Sequence, residues 1–199
     1  MQRRSCAGCL GILLLLGIIA VILVKGPISV NVAFGRLIAT IPTSVSVSVA
    51  ATPTSSKSGS NETQLAQQLF KQINSDRAAQ GLPAYVWDNK IAPVSYQHSV
   101  TMGQGCGLSH QCPGEPDPCQ RLSNAGIQWT ACGENAGYTS PYPDAWSAVK
   151  TNIEQGMLNE QPPNDGHRRN LLSTSFHHIG IGIYTDNKGT IWVTEDFTN

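Results

Sequence analysis

The longest apolar stretch of the chain lies near its N-terminus, over residues 6–24, where no charged residue interrupts a run of Leu, Ile, Val, Ala, Gly and Cys. About 20 apolar residues suffice to cross a bilayer as a helix, so this stretch predicts a transmembrane signal-anchor helix. Arg3 and Arg4 come before it and predict a short cytoplasmic N-terminus over residues 1–5. The C-terminal part is then expected outside a single-pass cell membrane protein.

The alternative for the apolar stretch is a cleaved signal peptide, which would leave a secreted protein. The apolar region of a signal peptide normally has about 7–15 residues and ends at a small-residue cleavage site. The stretch here is longer, and the segment Val24-Lys25-Gly26-Pro27 that follows offers no such site. These features favour the uncleaved anchor.

Residues 25–60 are rich in Ser, Thr, Val and Pro and poor in large side chains. A segment with so few large side chains cannot bury a core, which predicts a flexible linker. Ser and Val alternate over residues 44–49, and this pattern fits an edge strand with a weakly specified register.

Two amphipathic segments follow the linker. The first is expected to begin at Asn61, which can cap a helix with Gln64 as its capping-box partner, and to end before Gly81. The second is expected to begin near Asp88, with Pro93 delaying its regular part. The apolar stripe of the first helix consists of Leu65, Leu69 and Ile73, and that of the second consists of Ile91, Val94, His98 and Met102.

A third helix is predicted from Asp144, because Trp146, Val149, Ile153 and Met157 recur at helical spacing. Glu160 falls on the same face, at the end of this apolar stripe. A buried, unpaired charge is costly, so this carboxylate is expected to have a partner.

The C-terminal segment predicts a β-hairpin. Ile179, Ile181 and Ile183 alternate with glycines, and a turn at residues 186–189 leads into a second strand at residues 191–193. The helices and this antiparallel sheet must share one core, so residues 61–199 are expected to form one α+β domain.

Charge is distributed unevenly along a chain whose formal net charge is zero. Residues 1–60 contain Arg and Lys but no acid, and all 13 acidic residues lie between Glu62 and Asp196. A phosphate-binding face needs clustered Lys and Arg, and only Arg168-Arg169 approaches this pattern. The distribution therefore argues against nucleic acid as a partner.

Two imidazoles and two carboxylates occur in four short segments of the predicted domain. They are His110 in Leu108-Ser109-His110, Glu134 in Cys132-Gly133-Glu134-Asn135, Glu160 in Met157-Leu158-Asn159-Glu160, and His167 in the segment Asp165-Gly166-His167-Arg168-Arg169-Asn170. Neutral histidines and carboxylates can together hold a divalent transition metal such as Zn²⁺, or bind a polar ligand between acid and base. A purely structural polar network is the alternative.

These segments, followed by Phe176-His177-His178-Ile179-Gly180-Ile181-Gly182, resemble the CAP superfamily of cysteine-rich secretory proteins, antigen 5 and pathogenesis-related 1 proteins, in its bacterial form. The resemblance covers about residues 62–197. It implies an α/β/α sandwich, the CAP or SCP domain, with a mainly antiparallel central sheet. It also implies a cleft in which His110, Glu134, Glu160 and His167 form the family's tetrad.

The chain departs from the better-known animal and plant pattern in two places. Met157 stands where an aromatic residue is common three positions before the second Glu of the tetrad. Arg168-Arg169-Asn170 replaces the aromatic-Thr segment after the second His. The identity of the family's ligands is therefore not transferred to this cleft.

Four cysteines, at positions 106, 112, 119 and 132, lie around His110 and just before Glu134. Outside a reducing compartment they predict two disulfides, with three possible pairings. The pairing Cys106–Cys112 with Cys119–Cys132 is favoured, because its short loops would hold the His110 segment beside the Glu134 segment. A zinc-thiolate site is disfavoured, because paired C-x-x-C spacing is missing.

Three other histidines are not predicted to be ligands. His98 lies on a core-facing helical stripe and is expected to be a packing histidine. His177 and His178 begin a strand, where at least one of them should face solvent.

Two functions are consistent with these residues. The preferred one is a membrane-tethered extracellular binding module whose acidic cleft takes up a divalent cation, a peptide, a glycan or a lipid. The alternative is a metal-dependent, peptidase-like hydrolase. In that enzyme His110 and His167 would hold the ion, and Glu134 or Glu160 would act as the general base on a bound water.

Overall fold

The computed structural model describes residues 56–199. The predicted cytoplasmic segment 1–5, the predicted transmembrane helix 6–24 and all but the last residues of the predicted linker lie outside this range. Within the described range, no helix has both the length and the apolar character needed to span a bilayer.

The helices and strands alternate irregularly along the chain. In chain order they are α1 (Ser56–Ala79), β1 (Val86–Trp87), α2 (Ile91–Thr101), α3 (Pro118–Asn124), β2 (Cys132–Thr139), α4 (145–158), α5 (Gly166–Leu171), β3 (His178–Thr185) and β4 (Ile191–Thr198). Two helices contain π-helical turns. Helix α2 continues into the π-helical segment Met102–Cys106, and the middle of α4, Val149–Glu154, is also π-helical.

The strands form one mixed sheet in the order β1-β3-β4-β2. Strand β1 pairs in parallel with β3, whereas β4 pairs antiparallel with both β3 and β2. The α+β class and the C-terminal hairpin are thus confirmed. Strand β2 was not predicted, because its small residues Gly133, Ala136 and Gly137 hide the alternation of a half-buried strand.

One face of the sheet carries the main hydrophobic core. The isoleucines of β3 and the apolar residues of β4 pack there against the predicted stripes of α1 and α4. The buried members include Leu65, Leu69, Ile73, Val149, Ile153, Met157, Ile179, Ile181, Ile183, Val193 and Phe197. Both stripes are therefore confirmed as core faces.

Helix α2 covers the opposite face of the sheet at unusually short range. A Cβ atom at Gly182 would lie 2.0 Å from the backbone nitrogen of Tyr96, and one at Gly180 would lie 2.3 Å from that of Ala92. The Ser95 hydroxyl donates a 3.0 Å hydrogen bond to the Gly180 carbonyl, and the Ser99 hydroxyl donates one of 3.0 Å to the Gly182 carbonyl. Glycine is therefore required on β3 for this contact.

Helix α1 begins earlier than the sequence pattern suggested. It starts at Ser56, so Asn61 lies inside the helix and is not its N-cap. The Thr63 hydroxyl donates a 2.8 Å hydrogen bond to the Gly59 carbonyl, which already belongs to the helix. The expected capping box of Asn61 and Gln64 was wrong, because the helix continues through residues 56–60.

The four clustered cysteines form two disulfides, Cys106–Cys112 and Cys119–Cys132, with Cα atoms 5.7 and 6.0 Å apart. The favoured pairing is confirmed. The first disulfide closes a loop after α2, and the second ties α3 to the start of β2.

Three acidic side chains are buried in the sheet layers and were not singled out from the sequence: Glu154 on α4, and Glu195 and Asp196 on β4. Burial, with Glu195 and Asp76 nearby, raises the pKa of Glu154 to about 10. Burial also raises the pKa of Asp196, and the neighbouring Glu134 adds to this effect. Glu154 is thus protonated in the folded protein at neutral pH.

Replacing Glu154 with Gln is expected to raise the free energy of unfolding, and to raise it more at pH 8 than at pH 5. The carboxyl must take up a proton on folding, because its folded pKa of about 10 exceeds the ordinary value of 4.5. Its effect on stability is therefore most favourable below pH 4.5 and becomes unfavourable as the pH rises towards 10. Urea unfolding of both proteins at pH 5 and pH 8 measures the difference. An equal gain at both values, or a loss at pH 8, would contradict this account.

Replacing Gly182 with Ala is expected to lower the free energy of unfolding by about 3 kcal/mol, because the new methyl group overlaps the backbone of α2. Gly156 on α4 is the matched control, since a Cβ atom there meets nothing within 4 Å. Gly156→Ala should be neutral or stabilise by about 0.4–1 kcal/mol. Thermal unfolding of the two variants checks the contrast, and similar melting temperatures would refute the close-contact argument.

Candidate functional site

His110 and Glu134 form one half of a cleft at the edge of the sheet. His110 lies in the disulfide-closed loop after α2, and Glu134 is on β2. The Nδ1 atom of His110 lies 2.7 Å from Oε1 of Glu134, whose side chain is only 1% exposed. The imidazole itself is 57% exposed, so a buried carboxylate holds an exposed ring in place.

Arg121 on α3 holds both members of this pair. Its Nη2 group donates to Oε2 of Glu134, and its Nη1 group donates to the carbonyl of His110 at 2.9 Å. Sequence reasoning missed Arg121. The only available signal is its position two residues after Cys119, whose disulfide ties α3 to β2.

His167 and Glu160 form the other half of the cleft. The Nδ1 atom of His167, in the first turn of α5, lies 2.5 Å from Oε1 of Glu160. Oε2 of Glu160 accepts hydrogen bonds from the backbone N–H groups of His167 at 3.0 Å and Arg168 at 3.3 Å. Glu160, which follows α4, therefore has the partner that its place on the apolar stripe required.

Buried polar contacts fix α5 in this position. Arg77 of α1 donates to the carbonyl of Leu171 at 2.7 Å, and the Tyr85 hydroxyl donates to the carbonyl of Asn170 at 2.6 Å. The Asn170 amide in turn donates to the carbonyl of Glu134 at 3.1 Å and to Oδ1 of Asn135 at 2.9 Å. Asn170 thereby joins the two halves of the cleft. Neither asparagine was singled out as a site residue from the sequence.

The cleft has a volume of about 320 Å³ and is lined by His110, Glu134, Gly166, His167, Arg169 and Asn170. The rings of His110 and His167 have their centroids 6.3 Å apart. Of the four predicted site residues, His110, Glu134 and His167 line the cleft, and Glu160 is hydrogen-bonded to His167. Among residues 56–199, neither imidazole has a hydrogen-bond partner for its Nε2 atom.

The carboxylates determine which imidazole nitrogen is available. A carboxylate accepts a hydrogen bond from Nδ1–H, so the neutral ring carries its free lone pair on Nε2. Carboxylate–histidine pairs of this kind orient imidazoles for metal binding. The donor set fits a divalent cation such as Zn²⁺, with His110 and His167 as nitrogen ligands.

A second group of metal-ligating side chain types, His98, Cys112 and Glu115, lies near the cleft. Cys112 is in a disulfide, and the two ring nitrogens of His98 lie 2.8 Å from Glu115 Oε2 and 2.9 Å from the carbonyl of Ser109. Each potential ligand is therefore already bonded. His98 is the buried packing histidine that its place on α2 predicts.

The hydrogen bond that His110 donates to the Glu134 carboxylate raises the pKa of His110, and partial burial opposes this rise. An imidazole with a raised pKa stabilises the fold through its protonated form below the unfolded value. This contribution is lost as the pH rises through the folded-state pKa.

Residues 70–197, more than half of the chain, match the model of the cysteine-rich secretory protein family, CAP. The chain is 30% identical over 125 residues to the Uncharacterized membrane protein YlbC of Bacillus subtilis (strain 168), which covers 61% of the chain and 33% of YlbC. It is 25% identical over 144 residues to YkwD of the same organism, covering 72% of the chain and 51% of YkwD. The chain thus spans between a third and about half of the length of these relatives.

Solved structures share the fold, and two of them are compared with this chain. An extracellular protein containing a SCP domain from Bacillus anthracis str. Ames superposes with a TM-score of 0.60 at 29% identity, over 71% of this chain and 42% of that one. An outer surface protein from Borrelia burgdorferi superposes with a TM-score of 0.57 at 15% identity, over 68% of this chain and 92% of that one. The second likeness bears on the fold alone.

The imidazole of His110 is expected to titrate above the ordinary histidine value of about 6.5, because Glu134 stabilises its protonated form. Proton NMR of the ring C–H signals against pH measures the midpoint. A His110 midpoint at or below about 6.5 would contradict the effect of the carboxylate.

Proposed function

This chain belongs to the cysteine-rich secretory protein (CAP) family, and from that membership we propose that its folded domain is an extracellular binding module. The apolar segment 6–24 tethers the module to a membrane, and its cleft binds a divalent cation such as Zn²⁺. One relative is named as a membrane protein and another as an extracellular protein, and both names support this location.

One observation carries the proposal. Each imidazole of the cleft has a carboxylate on Nδ1, so two Nε2 lone pairs from different segments of the chain are left for one ligand. A structural polar network would be satisfied by the two His–Glu contacts alone. It would not require both histidines to line the same cleft, with their ring centroids 6.3 Å apart.

The four residues take two different roles in this proposal. His110 and His167 bind the cation, whereas Glu134 and Glu160 orient the imidazoles and increase their basicity. A bound divalent cation would act as a Lewis acid towards an oxygen atom of the cleft ligand. The ligand of the cleft is a peptide, a glycan or a lipid. The segment Arg168-Arg169-Asn170 distinguishes this cleft from the better-known family pattern.

Binding is favoured over hydrolysis by the state of the carboxylates. A hydrolase using this tetrad needs Glu134 or Glu160 as a free base close to a bound water. Glu134 already accepts hydrogen bonds from His110 and Arg121. Glu160 accepts hydrogen bonds from the His167 ring and from two backbone N–H groups. Neither carboxylate has an oxygen without a donor.

Calorimetric titration of the full-length protein with Zn²⁺ at pH 7.5 is expected to show one bound ion. His110→Ala and His167→Ala each remove a nitrogen ligand and should weaken binding by more than about tenfold. Glu160→Gln keeps the ligand but loses the charge that orients His167, and should weaken binding by about 10–100-fold.

The matched control is His177→Ala, which removes an exposed histidine that does not line the cleft. Zn²⁺ affinity unchanged by both cleft substitutions, or reduced as much by His177→Ala, would refute the site. Circular dichroism of each variant confirms that lost binding does not reflect lost folding.

A further inference from the structure

We propose that the ligand of this cleft presents an oxyanion, a carboxylate or phosphate group, and that Arg169 binds it beside the two imidazoles. The inference deepens the proposed function, on which it rests for the role of the cleft. It assigns the ligand's chemical class from the groups that line the cleft, and it assigns a role to Arg169.

The cleft is not acidic in the way that the sequence suggested. The side chain of Glu134 is 1% exposed, and its two oxygens accept from His110 and Arg121. Glu160 is 23% exposed, and both of its oxygens accept from α5. The carboxylates are thus used within the protein and are poor acceptors for a ligand's hydrogen-bond donors.

Arg169, in contrast to the two carboxylates, offers hydrogen-bond donors to a ligand. It lines the cleft with His110 and His167, and its side chain is 70% exposed. Its Nε group lies 3.2 Å from Oδ1 of Asp165, which holds the base of the guanidinium. Within the described part of the chain its Nη1 and Nη2 groups have no partner. A guanidinium fork of this kind matches the two oxygens of a carboxylate or phosphate.

The adjacent Arg168 has a different role, although the sequence presents the two arginines as a pair. Its Nη1 group donates to the carbonyl of Leu158 at 2.5 Å, and this contact ties α5 to the end of α4. Arg169 is therefore the member of the pair that faces the cleft with free donors.

With a divalent cation on the imidazoles, the charge balance around the cleft would also favour an anion. Glu134 pairs with Arg121, and Asp165 pairs with Arg169. A divalent cation on the imidazoles would therefore face only Glu160 as an uncompensated carboxylate. A ligand oxyanion would neutralise the remaining positive charge in a partly buried site, where charges interact more strongly than in water.

The test uses the full-length protein at pH 7.5 with a chelator, so that it does not depend on a bound metal. Inorganic phosphate and acetate are titrated in separate arms, and the imidazole NMR signals of His110 and His167 report occupancy. Saturable shifts of both signals are expected.

Tighter binding of phosphate would indicate a phosphate-bearing ligand, and tighter binding of acetate would indicate a carboxylate-bearing one. The acetate arm is then repeated with Zn²⁺, and tighter acetate binding is expected.

Arg169→Gln should weaken anion binding by about tenfold, the loss expected for hydrogen bonds to a charged group. Arg169→Lys keeps the positive charge but loses the guanidinium fork. Its anion affinity should lie between those of the unsubstituted protein and Arg169→Gln. Lys188→Gln removes an exposed cation from the β3–β4 turn, outside the cleft, and should have no effect.

The outcomes separate this inference from the proposed function. Zn²⁺ binding with anion affinity unchanged by Arg169→Gln overturns the role of Arg169 and leaves the cation site intact. Anion binding that depends on Arg169, in a protein that does not bind Zn²⁺, supports the oxyanion site and refutes the cation site. No saturable anion binding in either condition, or an equal loss in Lys188→Gln, overturns the inference.

Discussion

The close contact between α2 and β3 determines where the rest of the structure can lie. Gly180 and Gly182 let the helix backbone approach the strand, and serine hydroxyls bond directly to the strand's carbonyl groups. The end of α2 is thereby fixed over the same sheet face that carries Glu134 and Asp196. Because the chain continues from α2 through the π-helical turn and the first disulfide to His110, this contact also sets the approach of His110 to Glu134.

The cleft depends on both faces of the sheet. One imidazole is held from the α2 side, through Glu134, Arg121 and the two disulfides. The other is held from the core side, where Arg77 of α1 fixes the end of α5. Asn170 bridges the two halves by donating to the backbone of β2. A displacement of either helical layer would therefore change the distance between the imidazoles and so alter the geometry that any shared ligand meets.

The sequence predicted the parts of the fold that follow a strong periodic pattern. The apolar stripes of α1 and α4 and the alternation in β3 identified the core, and loop length favoured the two disulfides that form. Strand β2 was not predicted, because glycine and alanine give no pattern of alternating apolar and polar side chains. The structure shows why Gly133 and Gly137 are small: Phe176 packs against the first and Ile153 against the second. The burial of Arg121, Glu154 and Glu195 was not predicted, for another reason. Their burial depends on tertiary neighbours, whereas residue type alone places charged side chains at the surface.

The candidate site shows why residue types at a site do not by themselves define its chemistry. Two histidines and two glutamates permit several arrangements, in which either carboxylates or imidazoles face the ligand. Hydrogen bonding selects one of them, because each carboxylate is used by a histidine Nδ1 and by cationic or backbone donors. The groups left facing the cleft are imidazole Nε2 atoms and the Arg169 guanidinium. Although all 13 acidic residues lie between Glu62 and Asp196, this cleft presents imidazole nitrogens and a guanidinium rather than free carboxylates.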